Sequence, residues 1–254
     1  MRQTPAPYPR VFMSVTLTSP PVRPGPLPTD SARPRSLRHK TARVLVGVLL
    51  GYLTLWATGS LGILAVSYVA RETTSAPAGT RSVQGIHNFQ PVGTDGGLWR
   101  GAAPSPTGYQ ELADLGFTTV VDLRAENLSA TQLALPREAG LDVVRVPIRD
   151  GQTPSPEQVQ RLLDAVSDSS GPVFVHCGAG VGRTGTMAAA YLVRTGQEDS
   201  PGAVWRNLSV GPPSIEQIYY GLSLERERAT AKPPLPVVAV SRLVDAPRRI
   251  WSYV

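Results

Sequence analysis

The stretch Val175-His176-Cys177-Gly178-Ala179-Gly180-Val181-Gly182-Arg183-Thr184-Gly185 holds the only cysteine in this 254-residue chain. An arginine follows the cysteine by six positions, and a hydroxyl residue follows the arginine. The β-prone run Pro172-Val173-Phe174-Val175-His176 leads in, and a helix-forming run from Thr186 to Arg194 leads out. A strand that ends in a thiol, turns through glycines and enters a helix is suited to holding a tetrahedral oxyanion against a nucleophile. The backbone N–H groups of Gly178, Ala179, Gly180, Val181, Gly182 and Arg183 are expected to point inward at the positive end of the helix, forming an anion nest without a metal. The three glycines permit the backbone angles such a cradle demands. Arg183 can give two parallel hydrogen bonds to two phosphate oxygens, which lysine cannot. The nest and helix terminus favour the thiolate of Cys177, the form that attacks phosphorus. Thr184 lies where its hydroxyl can hydrogen-bond the sulfur and stabilise it as a leaving group. His176 is expected to orient the loop through its ring N–H groups rather than to act as a base. His39, His87 and His176 fall in separate segments, so no metal-ligand cluster is visible and no cofactor is expected.

The segment HCGAGVGRTG (176–185) resembles the signature of the cysteine-based protein tyrosine and dual-specificity phosphatases, His-Cys-x5-Arg-Ser/Thr-Gly, in their atypical bacterial form. Rhodanese-type domains share the Cys-x5-Arg spacing but usually lack the Gly-x-Gly-Arg-Thr-Gly tail. Phosphate ester cleavage also needs a proton for the leaving oxygen, normally from a carboxylic acid. Val144 to Gly151 reads as a strand running into a loop that ends in Pro154 and Pro156, and it carries Asp150. Asp150 resembles the general acid of small dual-specificity phosphatases, whose acid loop often reads Val-Pro-Ile-x-Asp. A helix-capping or solvated aspartate is the plainer alternative. Asp122, in Val120-Val121-Asp122-Leu123-Arg124, is the rival acid, and it reads better as a structural partner of Arg124. The resemblance implies a two-step reaction. Cys177 takes the phosphoryl group while Asp150 protonates the departing alcohol, and water activated by Asp150 then releases phosphate.

Residues 1–43 hold nine prolines, eight Lys/Arg and one acid, Asp30, a composition that reads as a disordered basic arm. Residues 44–70 carry no charge and are long enough to cross a bilayer, so they read as a transmembrane signal anchor. A buried core helix and a cleaved signal peptide, with Ala76-Pro77-Ala78 as a loose cleavage site, are the alternatives. Arg33, Arg35, Arg38, Lys40 and Arg43 precede the run and only Arg71 and Arg81 follow closely, which predicts a cytoplasmic N-terminus and an extracytoplasmic catalytic domain in the cell membrane. Residues 71–84 read as a linker, 85–228 as the catalytic domain, and 229–254 as a tail whose structure the sequence leaves open.

Within 85–228, Leu98-Trp99-Arg100-Gly101-Ala102-Ala103-Pro104-Ser105 resembles the entry region of atypical dual-specificity phosphatases, which often read Leu-Tyr-Arg-Ser-x-x-Pro-Ser. Ser105 can cap a helix running from Pro106 or Thr107 to near Gly116. Strand 118–123, a helix near 129–139 bounded or interrupted by Pro136, strand 142–146, helix 156–167, strand 172–176 and helix 185–195 follow. Ser214-Ile215-Glu216-Gln217 is a capping box opening a last helix to about Arg228. This alternation predicts an α/β fold, a mostly parallel sheet flanked by helices and preceded by one transmembrane helix.

The chain's net charge of +6 comes from its flanks, because acids outnumber bases within 85–228. A nucleic-acid surface is therefore not expected. A basic arm before an apolar span serves topology and contact with anionic lipid. Ala179 and Val181 stand where relatives acting on polyphosphorylated inositols often place lysines, which argues for one phosphate rather than several. The expected substrates are phosphotyrosine or phosphoserine/threonine proteins. A membrane lipid phosphate, such as a phosphoinositide or a phosphatidylglycerophosphate, is second, and an inactive phosphate-binding module is third.

Overall fold

Strand residues buried on both faces and amphipathic helices between them set the architecture. The computed structural model describes residues 35–251. In chain order these form α1 (Arg35–Thr73), β1 (Gln90–Pro91), β2 (Leu98–Ala102), α2 (Pro106–Asp114), β3 (Thr119–Arg124), α3 (Ala130–Glu138), β4 (Asp142–Ile148), α4 (Pro156–Asp168), β5 (Val173–Cys177), α5 (Gly182–Arg194), α6 (Ser200–Val210), α7 (Ile215–Leu222) and α8 (Leu235–Trp251). By contacts the chain divides after Val46, so α1 from Gly47 onward belongs with the α/β domain.

The sheet order is β1-β2-β5-β3-β4. β2, β5, β3 and β4 run parallel, and β1 pairs antiparallel to β2 at the edge. This is the expected mostly parallel α/β fold. Every residue of β5 is buried, as a central parallel strand requires. Val173, Val175 and Cys177 join a core with Leu162 of α4, Met187 of α5, Ala203 of α6 and Tyr220 of α7. Phe174 faces the other core, with Tyr109 and Leu112 of α2, Phe89 and Phe117. Helices thus cover both faces of the sheet. The carboxyl ends of β5, β3 and β4 lie side by side, the edge at which open α/β sheets place their sites.

Most helix starts follow their caps. Ser105, Ser129, Ser155 and Ser214 each accept a hydrogen bond from the N–H three residues on, and the last three close capping boxes with Gln132, Gln158 and Gln217. Pro136 lies inside α3 rather than ending it. The carbonyl its missing N–H would have served belongs to Gln132, which is exposed near the start of the helix.

Three features depart from the sequence expectation, and the tail it left open forms a helix. α6 was not foreseen, although Asp199 caps it through Gly202 N and Pro201 sits in its first turn. α7 ends at Leu222, well before Arg228. The tail forms α8. α1 begins at Arg35, inside the arm expected to be disordered, because Arg35, Leu37, Arg38 and Lys40 are good helix formers that continue the helix. The rest of that arm lies outside the described residues.

α1 is long and apolar enough to cross a membrane, and nothing in its most apolar 18-residue window is buried. Its last turns are different. Ser67 Oγ donates to Leu208 O at 2.6 Å, and Arg71 Nε and Nη2 donate to Ser209 O and Val210 O at 3.3 and 3.1 Å. These are the last carbonyls of α6, so α1 supplies that helix with a C-terminal cap and a cation at its negative end. The segment read as a linker is anchored as well. Arg81 lies 6.0 Å from the ring centre of Phe89 and 5.9 Å from that of Trp99.

Candidate active site

Between β5 and α5 the chain turns through Gly178 to Val181, and its carbonyls are tied to the scaffold. Ala103 N donates to Gly178 O at 3.0 Å, and Asn88 Nδ2 donates to Ala179 O at 2.9 Å. Arg100 Nη2 donates to Gly180 O at 2.7 Å and to Val181 O at 3.4 Å. With the carbonyls held away, the N–H groups turn the other way. Among the described residues, none of the N–H groups of Gly178 to Val181 donates a hydrogen bond, and Val181 offers α5 no side-chain cap. A row of unused donors at a helix N-terminus can bind an anion. Gly180 makes the turn possible, with φ +73° and the backbone of Gly101 and Ala102 where a Cβ would stand. Gly185 is demanded from the other side, because Asn207 of α6 fills the place of its Cβ.

Arg183 enters from the first turn of α5 and is buried. Its Nη1 donates to Glu126 Oε2 at 2.8 Å and to Ile148 O at 3.1 Å, and its Nη2 donates to Glu126 Oε1 at 2.7 Å. A guanidinium has five N–H bonds, and these contacts use three. The remaining two, Nε–H and the second Nη2–H, lie side by side and can grip two oxygens of one phosphate. Asp150 stands at that edge, its Oδ1 3.5 Å from Arg183 Nε. Burial works against the charge of Arg183, but the bonds to Glu126 and the proximity of Cys177 and Asp150 raise its pKa above the ordinary arginine value. For Glu126 burial pushes the carboxyl up, and the hydrogen bonds from Arg183 overcome it and hold the carboxyl below its usual range.

His176 is fully buried, stacked on Phe174. Its Nδ1 lies 3.3 Å from Cys177 O and its Nε2 3.5 Å from Tyr109 Oη. A carbonyl can only accept, so Nδ1 carries the proton and Nε2 is left to accept from the tyrosine. Burial lowers the pKa of the ring to about 4, although Asp122 opposes the shift. His176 therefore holds the strand end as a neutral ring. Thr184 Oγ1 is buried and has no hydrogen-bond partner among the described residues. Held in the first turn of α5, the hydroxyl does not meet Cys177 with hydrogen-bond geometry. Asp122 is bound by Arg124 Nε and Nη2 and by Arg145 Nη1, at 2.8–3.0 Å. That makes it a structural carboxylate, as its place at the strand end implied.

The residues from 95 to 197 match a family model described as "Polymorphic toxin system, DSP-PTPase phosphatase". Over these residues the chain is similar to dual-specificity-type phosphatases. The phosphatase domain is 39% identical over 101 residues to the probable NAD kinase 2, chloroplastic, of Oryza sativa subsp. japonica, a match covering 37% of this chain and 10% of that protein. It is 35% identical over 91 residues to the dual specificity protein phosphatase CDC14C of Homo sapiens, covering 35% of this chain and 20% of that one. The chain thus spans a fifth or less of the length of these relatives. Among solved structures, the core catalytic domain of the PP-IP phosphatase SIW14 from S. cerevisiae aligns over 68% of this chain and 100% of its own, with 15% identity and a TM-score of 0.49.

Three residues of the phosphatase site escaped the sequence reading. Glu126 follows β3 by two positions, but nothing in the sequence says that β3 lies beside β5. Asn88 adopts a left-handed φ of 57°, which asparagine tolerates, and so aims its amide at the loop. Arg100 was visible within the entry motif but had no assigned task. Besides the two loop carbonyls it reaches Asn207 Oδ1 at 3.3 Å, and no carboxylate lies within 4.0 Å of it among the described residues. Burial lowers its pKa to about 10, and Cys177 is the group that opposes the fall.

Proposed function

We propose that the phosphatase domain hydrolyses phosphate monoesters through a cysteinyl-phosphate formed on Cys177, with phosphotyrosine or phosphoserine/threonine proteins as substrates. The observation that carries this reading is the Nε–H and Nη2–H edge of buried Arg183, ion-paired with Asp150 but without a hydrogen bond on Nε among the described residues, beside a loop of unused backbone N–H groups. The substrate phosphate sits in the nest of residues 178–183, two of its oxygens on Arg183. Cys177 Sγ attacks phosphorus as the P–O bond to the alcohol breaks, and Asp150 delivers its proton to the departing oxygen. Asp150, now a carboxylate, takes a proton from water, whose oxygen attacks phosphorus and frees Cys177. Thr184, whose buried Oγ1 has no hydrogen-bond partner among the described residues, is available to the sulfur as it leaves. Charge on the equatorial oxygens is met by Arg183 and the nest throughout.

The full chain in lipid nanodiscs, assayed on phosphotyrosine and phosphothreonine peptides, tests the proposal. Cys177→Ser is expected to lose all turnover while still binding the peptide. Asp150→Asn is expected to lower kcat by about 100- to 1,000-fold with little change in KM. Full turnover by Cys177→Ser would overturn the mechanism.

A lipid phosphate is the second reading, and the hydrogen bonds from Ser67 and Arg71 to α6 favour it, because they hold the domain against the end of an apolar helix. Phosphatidylglycerophosphate or phosphatidylinositol phosphate in the same nanodiscs separates the two readings by rate. We also read α1 as an anchor in the cell membrane, with the phosphatase domain outside. A reporter fused after Val254 that works only in the cytoplasm would sink that topology.

A further inference from the structure

The face that α8 turns away from the protein is apolar along its described length. Leu235, Pro236, Ala239, Val240 and Leu243 recur at the spacing of one helix face, and all are exposed, Leu235 by 83%. The opposite face is committed to the domain. Ser241 is buried and accepts from Glu216 N at 3.0 Å, and Val244 is buried. At one end, Leu235 and Val238 line a groove of about 430 Å³ beside the acid loop, with Arg149, Lys232 and Arg242 around it. These three cations are exposed, and none forms an ion pair among the described residues, while the buried Glu216 is the one acid in the lining. At the other end, Val244 meets Gly59 of α1, and Val244 and Pro247 share a cavity with Trp56, Ser60, Ile63 and Leu64.

Counting along α1 shows where that contact falls. The uncharged run starts at Val44, and about 20 helical residues cross a hydrocarbon core, which brings the far boundary to Ile63 or Leu64. The contacts of α8, from Trp56 to Leu64, fall at that boundary and up to about two turns inside it. A helix at this level with an apolar outer face and a cationic edge has the composition of one lying in the headgroup layer.

We propose that α8 is a second membrane contact, lying on an anionic bilayer surface through Leu235, Val240 and Leu243, with Arg149, Lys232 and Arg242 drawing acidic headgroups to the rim of the acid loop. The proposal rests on the reading of α1 as a membrane anchor. It would place the phosphatase site beside the bilayer surface and give it an anionic lipid as an immediate neighbour.

Site-directed nitroxide labels on the full chain test it. Cys177→Ser removes the native thiol, so activity plays no part in the readout. Labels go at Leu243→Cys and Leu235→Cys on α8, at Leu49→Cys within the apolar run of α1, and at Glu138→Cys on exposed α3 across the sheet. In nanodiscs holding one copy and containing phosphatidylglycerol, the α8 labels are expected to collide several-fold more with oxygen than with a water-soluble nickel chelate, as the Leu49 label does. Adding Lys232→Glu and Arg242→Glu is expected to weaken that protection, and so is replacing the lipid by phosphatidylcholine. If the Leu49 label is in lipid while the α8 labels behave like the one at Glu138, α8 does not lie on the membrane and the proposal fails alone. If the Leu49 label is also in water, the anchor reading fails and takes the proposal with it. Protection seen only when two copies share a disc would mean that a second chain covers α8, which also overturns it.

Discussion

Arg183 and Arg100 are both buried arginines of the candidate site, and their surroundings assign them different work. Arg183 has a carboxylate partner, Glu126, which takes up three N–H bonds together with Ile148 O and leaves the Nε edge beside Asp150. Glu126→Gln is expected to keep the fold but let the guanidinium swing, lowering kcat/KM by about 100-fold, since small misplacements at a reacting centre cost that much. Steady-state kinetics on a phosphotyrosine peptide would check it, and an unchanged kcat/KM would show that Glu126 does not hold the arginine. Arg100 has two loop carbonyls, Asn207 and the neighbouring Cys177 instead. Arg100→Met would leave Gly180 O without its donor and remove a buried positive charge near the sulfur. Slower alkylation of Cys177 by iodoacetamide at pH 7 is expected, with kcat falling more than KM rises. Arg100→Lys should recover part of the rate, because it restores the charge but not both carbonyl contacts. Equal alkylation rates in all three proteins would reduce Arg100 to a packing residue.

At the scale of elements, the short helix α6 is tied on two sides. Its Asn207 meets Gly185 and Arg100 beside the loop between β5 and α5, and its last carbonyls receive Ser67 and Arg71 from α1. The exposed Arg71 contributes about 0.5 kcal/mol as a cation at a helix C-terminus. Arg71→Ala is expected to speed amide hydrogen exchange in residues 205–211 while leaving kcat unchanged, and hydrogen exchange with mass spectrometry reads this directly. Unaltered exchange there would mean that α1 does not stabilise the end of α6. Gly185→Ala is expected to be far more damaging, because the methyl group has no room beside Asn207.

Across the whole molecule, the titrating groups of the core make stability fall toward acid. The buried His176 has a folded pKa of about 4 against an ordinary 6.5. The unfolded chain therefore takes the proton first as the pH drops, and stability is lost between those two values. The loss reaches about 3 kcal/mol if the full shift is realised. Asp122 and Glu126, both held below their ordinary values in the fold, are protonated in the unfolded chain before the folded one, so they add to the loss at lower pH. Thermal unfolding followed from pH 7 to pH 4.5 is expected to show a falling Tm, with a shallower fall in His176→Gln. A Tm independent of pH over that window would show that the imidazole is not held neutral.

The chain's local chemistry was legible without the fold. A strand, a thiol, three glycines, an arginine and a hydroxyl in one run announce an anion nest, because a nest is built from consecutive residues. Capping serines and glutamines marked helix starts for the same reason, and 27 uncharged residues marked α1. What could not be read were the partners that only chain crossing brings together. Glu126 meets Arg183 because β3 lies next to β5, and Arg100 and Asn88 reach the loop because β2 lies on its other side. α8 follows Pro233-Pro234 with no capping side chain, and its apolar face has meaning only once Val244 is seen against Gly59. Sequence specifies groups that act through the backbone within a few residues of one another. Tertiary structure decides which buried charge meets which counter-charge, because burial and strand order are properties of the assembled sheet.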